Sequence, residues 1–281
     1  MGIARVRHRW RLELLLGCSA LLLAGAVYAQ RAFREYPALE GEDSSAGLPP
    51  DYQVPGEFIL GRLMFPSSRG FFGGGNYKQG YSAWTVDYPL GDRNFLRLLR
   101  RLTTVNVRSV EQPTDLDDGD DVFNWPFLIA SFPGTWNLSD AQAARLREYL
   151  LRGGFLFCDS FFGTTEWNGF QATLRRVFPE RPIVELSPDH PVFHTLYDID
   201  QLPQVPNGRQ LRWRGVGYRA DGVVPHWRAV LDDEGRVMVL ISFNNDVGDS
   251  WQYADVPEYP QSASYLGIRI GADIAVYAMT H

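Results

Sequence analysis

Apolar and polar positions along the chain switch repeatedly between a period near two and one near 3.6, and this alternation predicts an α/β protein. Residues 57–65 read as a first strand, closed by Pro66. Phe95, Leu98, Leu99 and Leu102 keep i, i+3, i+4, i+7 spacing, which predicts a helix with Asp92 as its N-cap. Val105, Val107 and Val110 suit a strand, and 125–132 is an apolar run too dense for a strand with one wet face. Ser139 and Gln142 form a capping box; Leu146, Tyr149 and Leu150 supply the apolar face behind it, and Gly153-Gly154 ends the helix. Residues 155–159 (FLFCD) follow as a buried strand ending in an acid. Then come a helix over 166–178, a short strand over 183–186, an antiparallel pair over 227–231 and 236–243, and a last helix over 262–279. Such an order predicts an α/β fold, a mostly parallel sheet with helices on both faces and an antiparallel C-terminal addition.

The start of the chain breaks this pattern. Arg5, Arg7, Arg9 and Arg11 precede fourteen small or apolar residues, 14–27, and Val27-Tyr28-Ala29 fits the small-residue rule for a cleavage site before Gln30. Fourteen residues fall short of the roughly 20 that span a bilayer as a helix. Residues 1–29 therefore read as a signal peptide and the protein as periplasmic or secreted; the alternative is an inner-membrane anchor over 12–28. Leu15-Leu16-Gly17-Cys18 resembles a lipoprotein box, but the apolar run continues well past Cys18. Residues 30–56, with Pro49-Pro50 and Pro55-Gly56, read as a flexible tether, and 57–281 as a single domain.

Charge narrows the partners. The chain holds 27 Lys and Arg against 33 Asp and Glu; without residues 1–29 the figures are 23 and 32. An acidic chain with no basic block argues against nucleic acid and against a polybasic membrane patch, so the membrane is met only through the N-terminal segment if it is uncleaved. Cleavage would leave Cys158 as the only cysteine, which excludes an intramolecular disulfide.

Several segments bear on chemistry. Gly73-Gly74-Gly75 follows the first strand among aromatics that include Trp84, but neither G-x-G-x-x-G nor a P-loop is present, so Gly74, Trp84 and Asp87 are read as a ligand-contacting loop. The run from Asp115 to Asp121 fails the EF-hand order, with Gly119 at the fifth position and Pro126 at the twelfth. Cys158 and Ser160 lack the small flanking residues of a nucleophile elbow. His190 and His194 lie four apart, but Pro191 sets His190 outside any helix, so no metal and no cofactor are assigned. His190 alone is a candidate for binding or proton transfer. Asn245, Asp246 and Trp251 follow the end of a strand, in a composition common both to turns and to ligand sites.

Taken together, Gly153-Gly154-Phe155-Leu156-Phe157-Cys158-Asp159, Pro188-Asp189-His190-Pro191-Val192-Phe193, Asn245-Asp246 with Gly248 and Trp251, and Leu266-Gly267-Ile268 with Tyr277-Ala278-Met279-Thr280 resemble a bacterial family of exported or membrane-anchored domains without an established activity. That family is similar in fold to class I glutamine amidotransferases and trehalose-utilisation-type proteins. The resemblance covers roughly 57–280 and implies a flavodoxin-like sheet with its ligand edge at the carboxyl ends of the strands. Asp159 and His190 match positions the family keeps, whereas Ser160 and Asp273 depart from it, and the amidotransferase Cys-His-Glu triad is not evident. The expectation is an exported binding module for a cell-envelope protein, peptide or polysaccharide. The alternatives are a hydrolase using Asp159 and His190 with Asp246 as an accessory carboxylate, and a purely structural envelope component. Asp159 and His190 are expected to share one pocket, rimmed by the glycine-rich loop.

Overall fold

The computed structural model describes residues 32–68 and 76–281. Seven strands form one sheet in the order β2-β1-β3-β4-β7-β6-β5: β1 (Leu60–Met64), β2 (Gln112–Asp115), β3 (Phe127–Ser131), β4 (Phe155–Phe161), β5 (Val184–Glu185), β6 (His226–Leu231) and β7 (Val237–Phe243). β1 runs parallel to β2 and β3, β3 to β4, and β4 to β7, while β6 is antiparallel to both β7 and β5. The five parallel strands read β2-β1-β3-β4-β7, which is the flavodoxin-like order with its switch point between β1 and β3.

Every residue of β1, β3, β4 and β7 is buried, because helices cover both faces of the sheet. One face packs α2 (Asp140–Leu151) and α3 (Gly163–Val177), whose Leu146, Tyr149, Phe170 and Leu174 meet Leu63, Leu128, Cys158 and Ile241. The other packs α1 (Leu90–Leu102), α5 (Val247–Gln252) and α6 (Gln261–Thr280), whose Phe95, Leu99, Trp251, Ile270 and Ile274 meet Leu60, Ile129, Phe157 and Leu240. A seven-residue helix, α4 (Gly208–Arg214), precedes β6 and carries no fully buried residue. The capping box of α2 forms as its sequence predicts: Ser139 Oγ accepts from the Gln142 N–H and the Gln142 side chain accepts from the Ser139 N–H.

Three local expectations change. Asp92 does not cap α1, which begins two residues earlier at Leu90. It sits inside the first turn as the buried partner of Arg62, 2.9 Å away. The valines at 105–110 precede the strand rather than form it; β2 is Gln112–Asp115, and Val107 makes only an isolated bridge to Phe58. The segment read as a tether packs onto the domain from Arg34 onward. Tyr36 is buried edge-on against Trp84, and its N–H donates to Tyr88 Oη. The Leu39 N–H donates to Thr85 Oγ1, and Glu35 pairs with Arg93 at 2.6 Å. Its prolines and acids resemble linker composition, but one buried aromatic and these three polar contacts help to hold it. No helix among the described residues is long and apolar enough to cross a membrane. Gly74 and the stretch 1–31, with its signal-peptide reading, lie outside the described residues.

Candidate functional site

Parallel strands aim their carboxyl ends at one edge of the sheet, and four of them deliver side chains to a single cleft there. The connection from β1 to α1 brings Asp87, the end of β3 brings Phe132, β4 brings Ser160, and β7 leads to Asp246 and, one helical turn on, Asp249. α4 with the residue before it supplies Asn207, Arg209 and Trp213, and the packed N-terminal segment adds Leu39 and Glu40. The cleft holds about 220 Å³.

β4 reaches this edge through a bulge. Cys158 pairs with Ile241 and Phe161 with Phe243, so Asp159 and Ser160 together oppose the single residue Ser242. The extra residue is absorbed by a left-handed backbone at Ser160, with φ of 63°. Strict alternation would send neighbouring side chains to opposite faces; the bulge turns the Ser160 hydroxyl back onto Asp159. Asp87 (φ 63°) and Phe132 (φ 59°) also adopt left-handed backbones. Non-glycine residues in that region cost of order 1–3 kcal/mol each, and such strain gathers at working sites.

The hydroxyl is the hub of an acidic cluster. Ser160 Oγ lies 2.6 Å from Asp246 Oδ1, 3.1 Å from Asp87 Oδ2 and 3.2 Å from Asp159 Oδ2. One hydroxyl carries one hydrogen, so it can satisfy only one of the three carboxylates at a time. Burial pushes the Asp159 carboxyl up to about 7, reinforced by Asp246. Asp87 and Asp249 are raised well above the ordinary carboxylate range by burial and then by the charge of Asp246, and burial raises Asp246 as well. The two arginines that line the cleft are engaged elsewhere. Arg209 pairs with Glu40 at 3.0 Å, and Arg219 donates to Glu166 at 3.1 Å and to the Ser160 carbonyl at 2.9 Å. Asp87, Asp246 and Asp249 are all buried and each presents a carboxylate oxygen, the three lying within 4.8 Å of one another.

The predicted site residues divide. Asp87 and Asp246 line the cleft. Asp159 lies directly beneath it: its oxygens accept from the N–H groups of Val247 (3.2 Å) and Gly248 (2.7 Å), and also from Ser242 Oγ, so it fixes the start of α5. Asn245 is buried and structural, its Oδ1 accepting from the Val205 N–H at 2.9 Å. Trp251 stacks on Phe95 in the core, 4.2 Å between centroids, and Trp84 is fully buried with its Nε1 donating to the Tyr77 carbonyl. His190 stays away from the cluster. Its Nδ1 accepts from the Val192 N–H at the start of a single 3₁₀ turn, and it neither lines the cleft nor bonds any of the aspartates. The loop that carries it packs toward α6, where Thr195 Oγ1 donates to the Asp273 carbonyl and the Leu196 and Tyr197 N–H groups donate to Asp273 Oδ1.

Sequence reasoning passed over Glu40, Asn207, Arg209, Trp213 and Asp249, and it weighed Ser160 only as a nucleophile. It tested metals only against patterns local in sequence, whereas Asp87 lies 159 positions from Asp246. The signal for Asp249 was within reach, because Asp246 and Asp249 are i and i+3 at a helix start, with the Asp246 side chain accepting from the Asp249 N–H.

Comparison with known proteins adds a family and no activity. No curated protein matches the chain. One family model covers residues 76–279, well over half of the chain, taking in β2 to β7 and every cleft residue except Leu39 and Glu40. The chain therefore belongs to the family described as a domain of unknown function, DUF4159.

Proposed function

We propose that the protein is an exported binding domain of the cell envelope that takes a saccharide in the cleft at the carboxyl edge of the sheet. The observation that carries this reading is the pairing of an acceptor-rich floor with aromatic walls. Asp87, Asp246 and Asp249 offer oxygens to donors, and Phe132 and Trp213 flank them, Trp213 being 70% exposed. Sugar hydroxyls donate to carboxylates, and the apolar faces of the ring lie against aromatic side chains. A few placed polar groups in an otherwise apolar concavity is the general form of a small-molecule site. α4 also separates this cleft from a second groove lined by Trp213, Tyr253 and Tyr259, so a ligand longer than one ring finds a continuing aromatic wall. Residues 1–29 supply the export reading, and the flavodoxin-like strand order supports the resemblance to amidotransferase-like folds.

The hydrolytic alternative loses its base, because His190 is not at the cleft. Ser160 has the left-handed backbone of a nucleophile elbow, but carboxylates surround it and no imidazole contacts it.

Thermal unfolding of the full chain with a panel of neutral mono- and oligosaccharides tests the reading. At 100 times the dissociation constant a ligand adds about 2.7 kcal/mol. The shift is expected to vanish in Trp213→Ala, which removes an exposed ring without opening the core. If no saccharide shifts the wild type, or Trp213→Ala shifts as much as wild type, the saccharide reading falls.

A further inference from the structure

We infer that Asp87, Asp246 and Asp249 bind one divalent cation of calcium's class in the floor of the cleft. The inference rests on reading that cleft as the binding site and adds the ion that its floor would hold.

Three separate elements deliver the carboxylates: the connection before α1, the end of β7, and α5. They are 1%, 2% and 3% exposed. Coordinating oxygens sit about 2.3–2.6 Å from calcium, so ligands on opposite sides of the ion are at most about 5 Å apart. The mutual spacing within 4.8 Å lets all three aspartates reach a single ion.

Independent of the spacing, one oxygen points to a missing partner. Asp87 Oδ1 is buried in the cleft wall and receives no hydrogen bond, while Asp87 Oδ2 faces Ser160. A carboxyl oxygen left without a partner in a buried site is costly unless a donor or a cation meets it. No arginine hydrogen bond reaches these three carboxylates among the described residues; Arg209 and Arg219 are taken by Glu40 and Glu166. The approach of Asp87 is built into the chain. A side chain at Gly248 would collide with Asp87 Oδ2, so the glycine is what lets the carboxylate close on α5.

Chemistry selects the class of ion. The donors are oxygens only, with no histidine or cysteine in the group, which suits hard cations rather than zinc or copper. Three carboxylates leave several positions of a six- to eight-coordinate ion open. At about 30 Å³ per water, the 220 Å³ cleft has room for waters or ligand hydroxyls to fill them.

The test uses the full chain stripped with a chelator, then titrated with CaCl₂, MgCl₂ or MnCl₂ against KCl of equal ionic strength. Calcium at 100 times its dissociation constant is expected to raise the melting temperature by about 5–10 °C, with a calorimetric stoichiometry of one. Asp87→Asn should lose that shift while melting no lower than the stripped wild type, since the amide keeps the shape and adds no charge to the buried cluster. Asp249→Asn is the second arm in case Asp87→Asn does not fold, and Asp117→Asn, outside the cleft, should shift like wild type. No divalent response above the KCl control would overturn the inference, as would a shift undiminished in both cleft variants. Saccharide binding without an ion response sinks the cation and leaves the proposed function standing; an ion response with no saccharide binding does the reverse.

Discussion

Ser160 and Asp246, 86 positions apart in sequence, meet at 2.6 Å because a bulge in β4 turns one hydroxyl toward the residue that starts α5. Removing that hydroxyl tests how much the cluster depends on a single shared hydrogen. Ser160→Ala is expected to destabilise the fold by about 1–3 kcal/mol, the cost of leaving buried acceptors without a donor. Urea unfolding in chelator measures it, and an unchanged midpoint would show that the carboxylates are already neutralised by other means.

Arg62 is 1% exposed and donates to Asp92 and to the Trp84 and Val86 carbonyls. Breaking a buried pair by removing one partner costs about 3–5 kcal/mol. Burial already lifts the Asp92 carboxyl to about 7 in the presence of Arg62. Loss of the guanidinium raises it further. A carboxyl whose folded value lies above its unfolded value contributes stability that is present below about 3.9 and lost as pH rises through the folded value. Arg62→Met should therefore melt higher at pH 5 than at pH 8. Equal melting points at the two pH values would place the Asp92 ionisation elsewhere.

Residues 34–56 belong to the compact unit, so a chain beginning at Glu57 should not fold as wild type does. It would uncover Trp84 and Tyr88 and strip Glu40 from Arg209. The expected outcome is a broad, low-temperature melt with increased binding of a hydrophobic dye, whereas a chain beginning at Ala32 melts as wild type. A cooperative melt of the shorter chain at the wild-type temperature would restore the tether reading.

Cys158 is fully buried between β3 and β7, and burial raises its thiol well above the usual range, with the charge of Asp159 adding to the effect. A thiol held neutral is a poor nucleophile. Native protein at pH 8 should react with a disulfide reagent far more slowly than urea-unfolded protein, because the folded thiol is both buried and held neutral. Comparable rates would return Cys158 to the list of reactive groups.

The elements that the sequence announces are those with enough residues to show a period or a cap. α2 carries its capping box, β3 and β4 are unbroken apolar runs, and β6 and β7 flank an acidic turn that ends in Gly235. α4 and α5, at seven and six residues, complete fewer than two turns, too few for a 3.6-residue period to stand out. They carry Arg209, Trp213 and Asp249, so that part of the cleft was hidden with them. The bulge at Asp159-Ser160 bears no glycine to mark it. His190 was placed by the rule that ligands gather where strands end, but β5 is two residues long and lies at the far side of the sheet, behind β6 and β7. Asp87 and Asp246 were found from the same rule because their strands lie toward the middle.

The same two-residue β5 has a further consequence at the margin of the sheet. An outermost strand offers unpaired amides to any passing chain, and proteins blunt that hazard with short strands, charge and proline. β5 offers only Val184 and Glu185, and Glu185 is held by His226 at 2.9 Å and Arg228 at 2.7 Å. At the opposite margin β2 is four residues long and carries Pro113, which has no N–H to donate. Neither margin is a template for strand addition, so fibrillar stacking through the sheet is disfavoured at both ends.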